Sequence, residues 1–97
     1  MFCLDLKDIL ASRVRQKILM ALAKAKSKGL HMMALVHIVS SPYNEVNRNV
    51  GILEREAIVI NYYPTLVKRG KARIVVLNDN PKTKVLLQAM AILNAEN

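Results

Sequence analysis

The alternation of apolar and polar residues predicts a helix in the first third of the chain, over about residues 13–27. Ile18 and Leu22 recur there at the interval of one helical turn, which is the spacing of a helix buried on one side. Ser12 is suited to cap the first turn, and Gly29 is suited to end the helix in the left-handed conformation.

The residues that follow predict a tight helix-turn-helix arrangement. Residues 30–31 are expected to form a very short strand and residues 33–39 a second helix. A Ser-Ser-Pro turn then starts a third helix over about residues 42–56, with Ser41 as its N-cap. Pro42 takes the first helical position, where the missing N–H of a proline costs nothing.

The third helix has one apolar and one polar side. Val46, Val50 and Leu53 follow the i, i+4, i+7 spacing of a buried stripe. The opposite side carries side chains that can hydrogen-bond base edges or phosphates: Tyr43, Asn44, Asn47 and Arg48. Asparagine is a poor helix former, so the asparagines at 44, 47 and 49 favour a role in polar recognition over an ordinary solvated surface.

From residue 58 the pattern changes to that of β structure. Residues 58–63 and 72–77 are rich in β-branched and aromatic residues, which predicts a hairpin around a loop of about residues 63–73. Tyr62 and Tyr63 alternate along the first strand, so one of them is expected to pack inward. The basic residues around the tip are Lys68, Arg69, Lys71 and Arg73. Their concentration favours contact with phosphate over simple protection of a sheet edge.

A final helix is predicted over about residues 81–95, with Asn80 as its cap and Pro81 at its first position. Its apolar residues cover more than half of its circumference, more than a domain of this size is expected to bury alone. We therefore expect a homodimer built mainly from this helix and the first predicted helix, residues 13–27. The expected interface includes Leu86, Met90 and Leu93.

Composition indicates one small domain of residues 1–97. Its hydrophobic fraction of 53% excludes a disordered chain. The parts are an N-terminal segment (1–11), a core (12–78) and a dimerisation helix (80–97). The lone Cys3 fits a reducing compartment, although it could also bridge two subunits at a twofold axis. The distribution of hydrophobic and charged residues predicts neither a signal peptide nor a membrane-spanning stretch, so we expect a cytoplasmic protein.

The charge of the chain indicates an anionic partner. It has 15 Lys and Arg against 7 Asp and Glu, for a net charge of +8, which favours double-stranded nucleic acid. His31 and His37 lie six positions apart and face different sides of a helix, so no metal site or other cofactor is expected. The sequence contains no nucleophile-and-base set and no Gly-rich phosphate loop, and we expect no enzyme activity.

The predicted order, α, short β, α, α, β, β, α, resembles the winged helix-turn-helix regulators of the ArsR-like type, including small archaeal and archaeal-virus members. The resemblance covers about residues 12–78. It rests on Leu35, Val46-Asn47-Arg48, Val50, Ile52-Leu53-Glu54 and Ile58-Val59. It implies a mainly α fold with a β-hairpin wing, and a dimeric DNA-binding transcription regulator. The third helix would enter the major groove, and the wing would contact the backbone or minor groove.

The chain departs from this family at two points. Ala57 stands where many members end the third helix with Gly, so the helix must end without the residue best suited to a left-handed conformation. The metal-sensing members use Cys pairs or Asp and His clusters, whereas the soft ligands here are Cys3, His31 and His37.

Three functions are compatible with the sequence. A sequence-specific regulator is favoured by the third helix, because Asn pairs with adenine and Arg with guanine, and a twofold dimer would read an inverted repeat. A weakly specific DNA-coating or chromatin-like protein is favoured by the abundant Lys. A winged-helix protein interaction module would predict an acidic or apolar third-helix surface instead. The sequence predicts no particular small-molecule effector.

Overall fold

The computed structural model describes residues 6–63 and 73–95, and their elements follow the predicted order with one addition. The helices are α1 (Leu6–Leu10), α2 (Arg13–Ala25), α3 (Met32–Val39), α4 (Tyr43–Arg55) and α5 (Pro81–Ala95). The strands are β1 (Leu30–His31), β2 (Val59–Tyr62) and β3 (Ile74–Leu77), and a 3-10 turn, Lys26–Lys28, follows α2. The addition is α1, in the N-terminal segment (1–11), for which no helix was predicted.

Two predicted caps are confirmed. Ser12 has extended backbone angles, and its side chain accepts a hydrogen bond from the Arg15 N–H over 3.2 Å at the start of α2. Asn80 does the same for α5, where its Oδ1 accepts from the Thr83 N–H over 2.9 Å. These contacts satisfy N–H groups that have no partner within the first helical turn.

The predicted start of α4 is wrong by one residue. Pro42, not Ser41, occupies the N-cap position, with φ −59° and ψ 148°, and no side chain caps the helix. The Pro42 carbonyl accepts from the N–H groups of Glu45 and Val46, over 3.0 and 3.1 Å. Because Pro42 keeps an extended ψ, the first helical residue is Tyr43, and the Ser41 hydroxyl lies one position too early to cap.

The predicted end of α2 also differs. The helix ends at Ala25, and Lys26 takes a positive φ of 56°, so Gly29 closes the 3-10 turn instead. Gly29 has φ 69°, and a Cβ there would lie 2.6 Å from the Val75 carbonyl oxygen. Glycine is therefore needed both for its backbone conformation and for the close approach of β3.

The three strands form one antiparallel sheet in the order β1-β3-β2. In the β2–β3 hairpin Val59 lies opposite Leu77 and Tyr62 opposite Ile74. On the other edge of β3, Leu30 lies opposite Val75. Because β1 leads directly into α3, this pairing fixes the helix-turn-helix against the hairpin.

The hydrophobic core surrounds α2, which packs against α1, α3, α4, α5 and β3. Its fully buried side chains include Ile18, Leu22, Leu35, Val46 and Leu53. The apolar stripe predicted for α4 is thus confirmed as part of the core. Burying such side chains supplies about 1.5–3 kcal/mol each and fixes the angle of α4 against α2.

The short helix α1 is held by the first turns of α2. Ile9 is fully buried, and its carbonyl accepts from Arg15 Nε over 3.0 Å. The Gln16 side-chain amide donates to the Leu10 carbonyl. Leu6, Ile9 and Leu10 follow helical spacing, but a pattern of five residues is too short to identify a helix without these contacts to α2.

At the end of α4, Ala57 itself adopts the left-handed conformation for which glycine is best suited. Its φ is 64°, and the Ile58 N–H donates to the Leu53 carbonyl over 2.9 Å, while the Ala57 N–H donates to Glu54 over 3.0 Å. This is the bond pattern of a Schellman C-cap with alanine in the position where glycine is favoured. In the described part of the chain, no helix is long and apolar enough to cross a bilayer.

Candidate nucleic-acid interface

The outer surface of α4 carries most of the residues selected from the sequence. Tyr43, Asn44, Asn47 and Arg48 are all exposed, whereas Val46 and Val50 on the opposite side are buried. Ser41 is half-buried in the turn that precedes the helix. The helix therefore presents one phenol, two amides and one guanidinium to solvent within its first two turns, all groups that hydrogen-bond bases or phosphates.

Asn49 does not belong to this surface, and its interpretation as a reading residue is wrong. It is only 3% exposed, on the side of α4 that faces the core. Its Oδ1 accepts from Arg15 Nη1 over 2.8 Å, and its Nδ2 donates to the Glu45 carbonyl over 2.8 Å. Both ends of its amide thus have hydrogen-bond partners, which offsets the low helix propensity of asparagine.

Arg15 adds positive charge beneath the exposed surface. Its guanidinium is partly enclosed by α1 and α4, and burial lowers its pKa from the ordinary value. The nearby positive charge of Arg48 lowers the pKa of Arg15 further, while the negative charge of Asp8 raises it. Because arginine stays charged throughout the physiological range, two cations act together at this part of α4.

Arg73 joins the hairpin to α4. The sequence placed it near the hairpin tip, but its guanidinium Nη2 lies 2.5 Å from Asn47 Oδ1, to which it donates a hydrogen bond. Its backbone carbonyl accepts from the Met32 N–H over 3.1 Å, and its Nε is buried without a hydrogen-bond partner. Two predicted interface residues, 26 positions apart, are thereby in direct contact.

The other predicted wing residues, Lys68, Arg69 and Lys71, lie outside the described residues. Within the described part of the hairpin, Tyr62 and Tyr63 are both exposed, so the expectation that one of them packs inward is wrong. Tyr62 is the last residue of β2 and Tyr63 lies beyond it, where the sheet no longer imposes alternation.

The end of α4 is fixed to the start of α5. Glu56 is buried and pairs with Lys82, whose Nζ lies 2.7 Å from Glu56 Oε1. The Ala57 carbonyl accepts from the side-chain amides of Asn78 and Asn80, over 3.0 and 2.8 Å. These contacts make the orientation of α4 depend on α5 as well as on the core.

The residues predicted for a subunit interface have different surroundings from those expected. Leu86 and Met90 are buried within their own chain, where α5 packs on α2, and the side chain of Leu93 lies outside the described residues. The exposed apolar side chains of α5 are Val85, at 48%, and Ile92, at 63%. The helix is thus apolar on two sides, and within the described residues one of these sides is covered, by α2.

Metal ligands do not cluster in the part of the chain that the structure describes. No group of three or more His, Cys, Asp or Glu within residues 6–63 and 73–95 could hold an ion. His31 precedes α3 and His37 lies in its last turn, both exposed. Cys3 lies outside the described residues.

Two solved structures of MepR from S. aureus share this architecture. One is a point mutant, and the other is a different point mutant bound to an oligodeoxyribonucleotide. Each has a TM-score of 0.75 and 16% sequence identity, over 94% of this chain. MepR is a winged-helix regulator of the MarR family, and the present chain has the winged-helix fold.

The chain spans 64% of the length of the MepR chains that it matches. No family model matches the sequence, and no curated protein matches it. The likeness identifies the fold, in which α3 and α4 form the helix-turn-helix and β2 and β3 flank the wing.

Proposed function

We propose that this protein is a homodimeric, sequence-specific regulator of transcription that binds double-stranded DNA. The observation that carries the proposal is the outer surface of α4, where Tyr43, Asn44, Asn47 and Arg48 are exposed on a helix whose other side is fixed in the core. Side chains on a rigid helix suit base recognition, because their positions are fixed before binding. The net charge of +8 supplies attraction to phosphate.

The winged-helix fold supports this proposal. One of the MepR structures is bound to an oligodeoxyribonucleotide, so the same architecture binds DNA in that protein. We propose that α4, predicted as residues 42–56, lies in the major groove, and that the wing of about residues 63–73 contacts the backbone or minor groove. A protein with this function works inside the cell, where DNA is found.

The second subunit is proposed to pack on α5. Val85 and Ile92 are exposed at i and i+7, with the half-buried Ala89 between them at i+4, which forms an apolar stripe on the outer side of the helix. An apolar stripe of this kind is typical of a surface that meets a partner. The burial of Leu86 and Met90 moves the proposed interface from those residues to this stripe.

The narrower family assignment also stays a prediction. The sequence resembles ArsR-like regulators of the archaeal or archaeal-virus type, whereas the structural neighbours belong to the MarR family. Both families use a winged helix, so the shared fold supports a regulator without separating the two.

A comparison of salt dependence tests the function directly. A sequence-specific regulator binds its selected duplex more tightly than random DNA, by about 10³- to 10⁷-fold, and the salt slopes of both report phosphate contacts. The abundant exposed Lys, such as Lys17 and Lys24 of α2, favours the alternative of a weakly specific DNA-coating protein. Equal affinity for selected and random DNA would establish that alternative, and the absence of binding to either would indicate a protein interaction module.

A further inference from the structure

We propose that Asn47 and Arg73 act as one pair that presents hydrogen-bond donors and a positive charge to DNA and thereby selects guanine. This inference rests on the proposed function, because it concerns which base α4 reads. It replaces the adenine that the sequence alone favours for Asn47.

The contact between the two residues fixes the orientation of the Asn47 amide. Arg73 Nη2 lies 2.5 Å from the oxygen of that amide. A guanidinium has donors and no acceptor, so the amide atom that faces Arg73 must be Oδ1. The amide nitrogen, with its two N–H groups, is consequently directed away from Arg73.

The position of Arg73 is fixed by its backbone and by partial burial of its side chain. Its backbone carbonyl is bound to the Met32 N–H beside the short strand β1, and its side chain is half-buried. Of the five N–H groups of its guanidinium, the described contacts use one, that to Asn47. The amide nitrogen of Asn47 and the unused N–H groups on the Nη atoms of Arg73 are therefore the donors that this pair offers, whereas the Nε N–H is buried.

Base selection follows from the donor and acceptor pattern of the major groove. Recognition of adenine by Asn needs the amide oxygen to accept from N6–H and the amide nitrogen to donate to N7. Arg73 already takes one of the two lone pairs of that oxygen, and its positive charge beside the amide opposes the approach of a further donor such as adenine N6–H. Guanine presents two adjacent acceptors, N7 and O6, so the donors of the pair match guanine at both atoms and adenine at one.

The first step of the test finds the base pair that Asn47 reads. DNA sites are selected from a random library with the wild type and with Asn47→Ala. The position that Asn47 reads is the one at which the wild type prefers one base and the variant shows no preference. Duplexes with guanine or adenine at that position are then compared with the wild type. We expect guanine to be favoured by about 5- to 150-fold. Replacing that guanine by 7-deazaguanine should weaken binding, whereas hypoxanthine, which keeps N7 and O6, should not.

The second step tests whether Arg73 sets the preference. Arg73→Met frees the oxygen of Asn47, so the ratio of guanine to adenine affinity should fall to about one or reverse in favour of adenine. Arg55→Met is the matched control, because it removes an exposed arginine that lies about two helical turns after Asn47 in α4. The control should weaken both duplexes alike and keep the ratio.

Asn47→Asp gives a separate measurement if Arg73→Met does not fold. The aspartate keeps an oxygen for Arg73 but replaces the donating nitrogen with an acceptor, so the preference for guanine should disappear. This inference would be overturned if the wild type preferred adenine at the position that Asn47 reads, or if the variants kept the ratio of guanine to adenine affinity. The proposed function would stand in either case. Absence of any selected motif for the wild type would overturn both.

Discussion

Arg15 of α2 donates a hydrogen bond to the buried side chain of Asn49 in α4, with 2.8 Å between Nη1 and Oδ1. The same guanidinium donates to the carbonyls of Ile9 and Asp8, over 3.0 and 2.9 Å. One side chain thus joins α1, α2 and the helix proposed to read DNA. The angle of α4 depends on this polar contact as well as on apolar packing.

We expect Asn49→Ala to lower the free energy of unfolding by about 1–3 kcal/mol, because it leaves a partly buried N–H of Arg15 without its acceptor. Asn44→Ala, an exposed change in the same helix, should alter it by less than about 0.5 kcal/mol. Urea denaturation of both variants measures the difference. Equal stability of the two would show that the Arg15–Asn49 contact contributes nothing to α4.

Replacing Ala57 with glycine should stabilise the protein by about 0.5–1 kcal/mol. Its φ of 64° lies in the left-handed region, where an L-residue with a Cβ costs about 1–2 kcal/mol, partly offset by the greater freedom of glycine in the unfolded chain. Ala23→Gly, within α2, is the control and should destabilise by about 1 kcal/mol. The two changes have the same chemistry, so a loss of stability in both would contradict the role of backbone strain at Ala57.

The proposed dimer depends on the outer stripe of α5. Ile92→Asp should give a folded monomer, because it places a charge on the exposed stripe and leaves the core intact. Ala91→Asp changes an exposed residue away from the stripe and should leave the dimer unaffected. Sedimentation equilibrium measures the oligomeric state of both variants, and circular dichroism shows whether they are folded. A wild type that sediments as a monomer would contradict the proposed dimer.

The wing is expected to supply a sequence-independent part of the affinity. Replacing Lys68, Arg69 and Lys71 together with Ala should flatten the slope of log affinity against log salt by about 0.9 for each side chain that meets a phosphate. Binding to selected and random duplexes should weaken alike. The control is the triple alanine variant of three lysines that lie outside α4 and the hairpin, namely Lys17, Lys24 and Lys84. If both triple variants gave the same slope, specific wing contacts would be excluded.

Much of the fold follows from patterns within single elements. The period of Val46, Val50 and Leu53 predicted α4, and the caps Ser12 and Asn80 placed the starts of α2 and α5 correctly. Such features are local, because spacing and capping act within a few residues of the chain. The fold was therefore predictable where neighbouring residues determine the structure.

Apart from the end of α2 and the start of α4, the errors concern how distant residues meet. The period of α4 already places Asn49 on the buried side, three residues after Val46, but the partner that accommodates a buried amide there, Arg15, lies 34 positions earlier. Leu86 belongs to a helix whose apolar residues cover more than half of its circumference, and its period alone cannot show which side α2 covers. Arg73 was expected to meet phosphate, and its contact with Asn47 depends on how β3 passes α4. The candidate surface was predictable in its residue types, but its internal contacts were not.

Selection from a random DNA library tests the central claim, that α4 reads sequence as part of a twofold dimer. We expect the wild type to enrich an inverted repeat with half-sites about one helical turn apart. Asn47→Ala and Arg48→Ala should each lose definition at particular positions in both half-sites, by about 1–3 kcal/mol per base contact. No enriched motif for the wild type, or a motif that both variants leave unchanged, would contradict the claim.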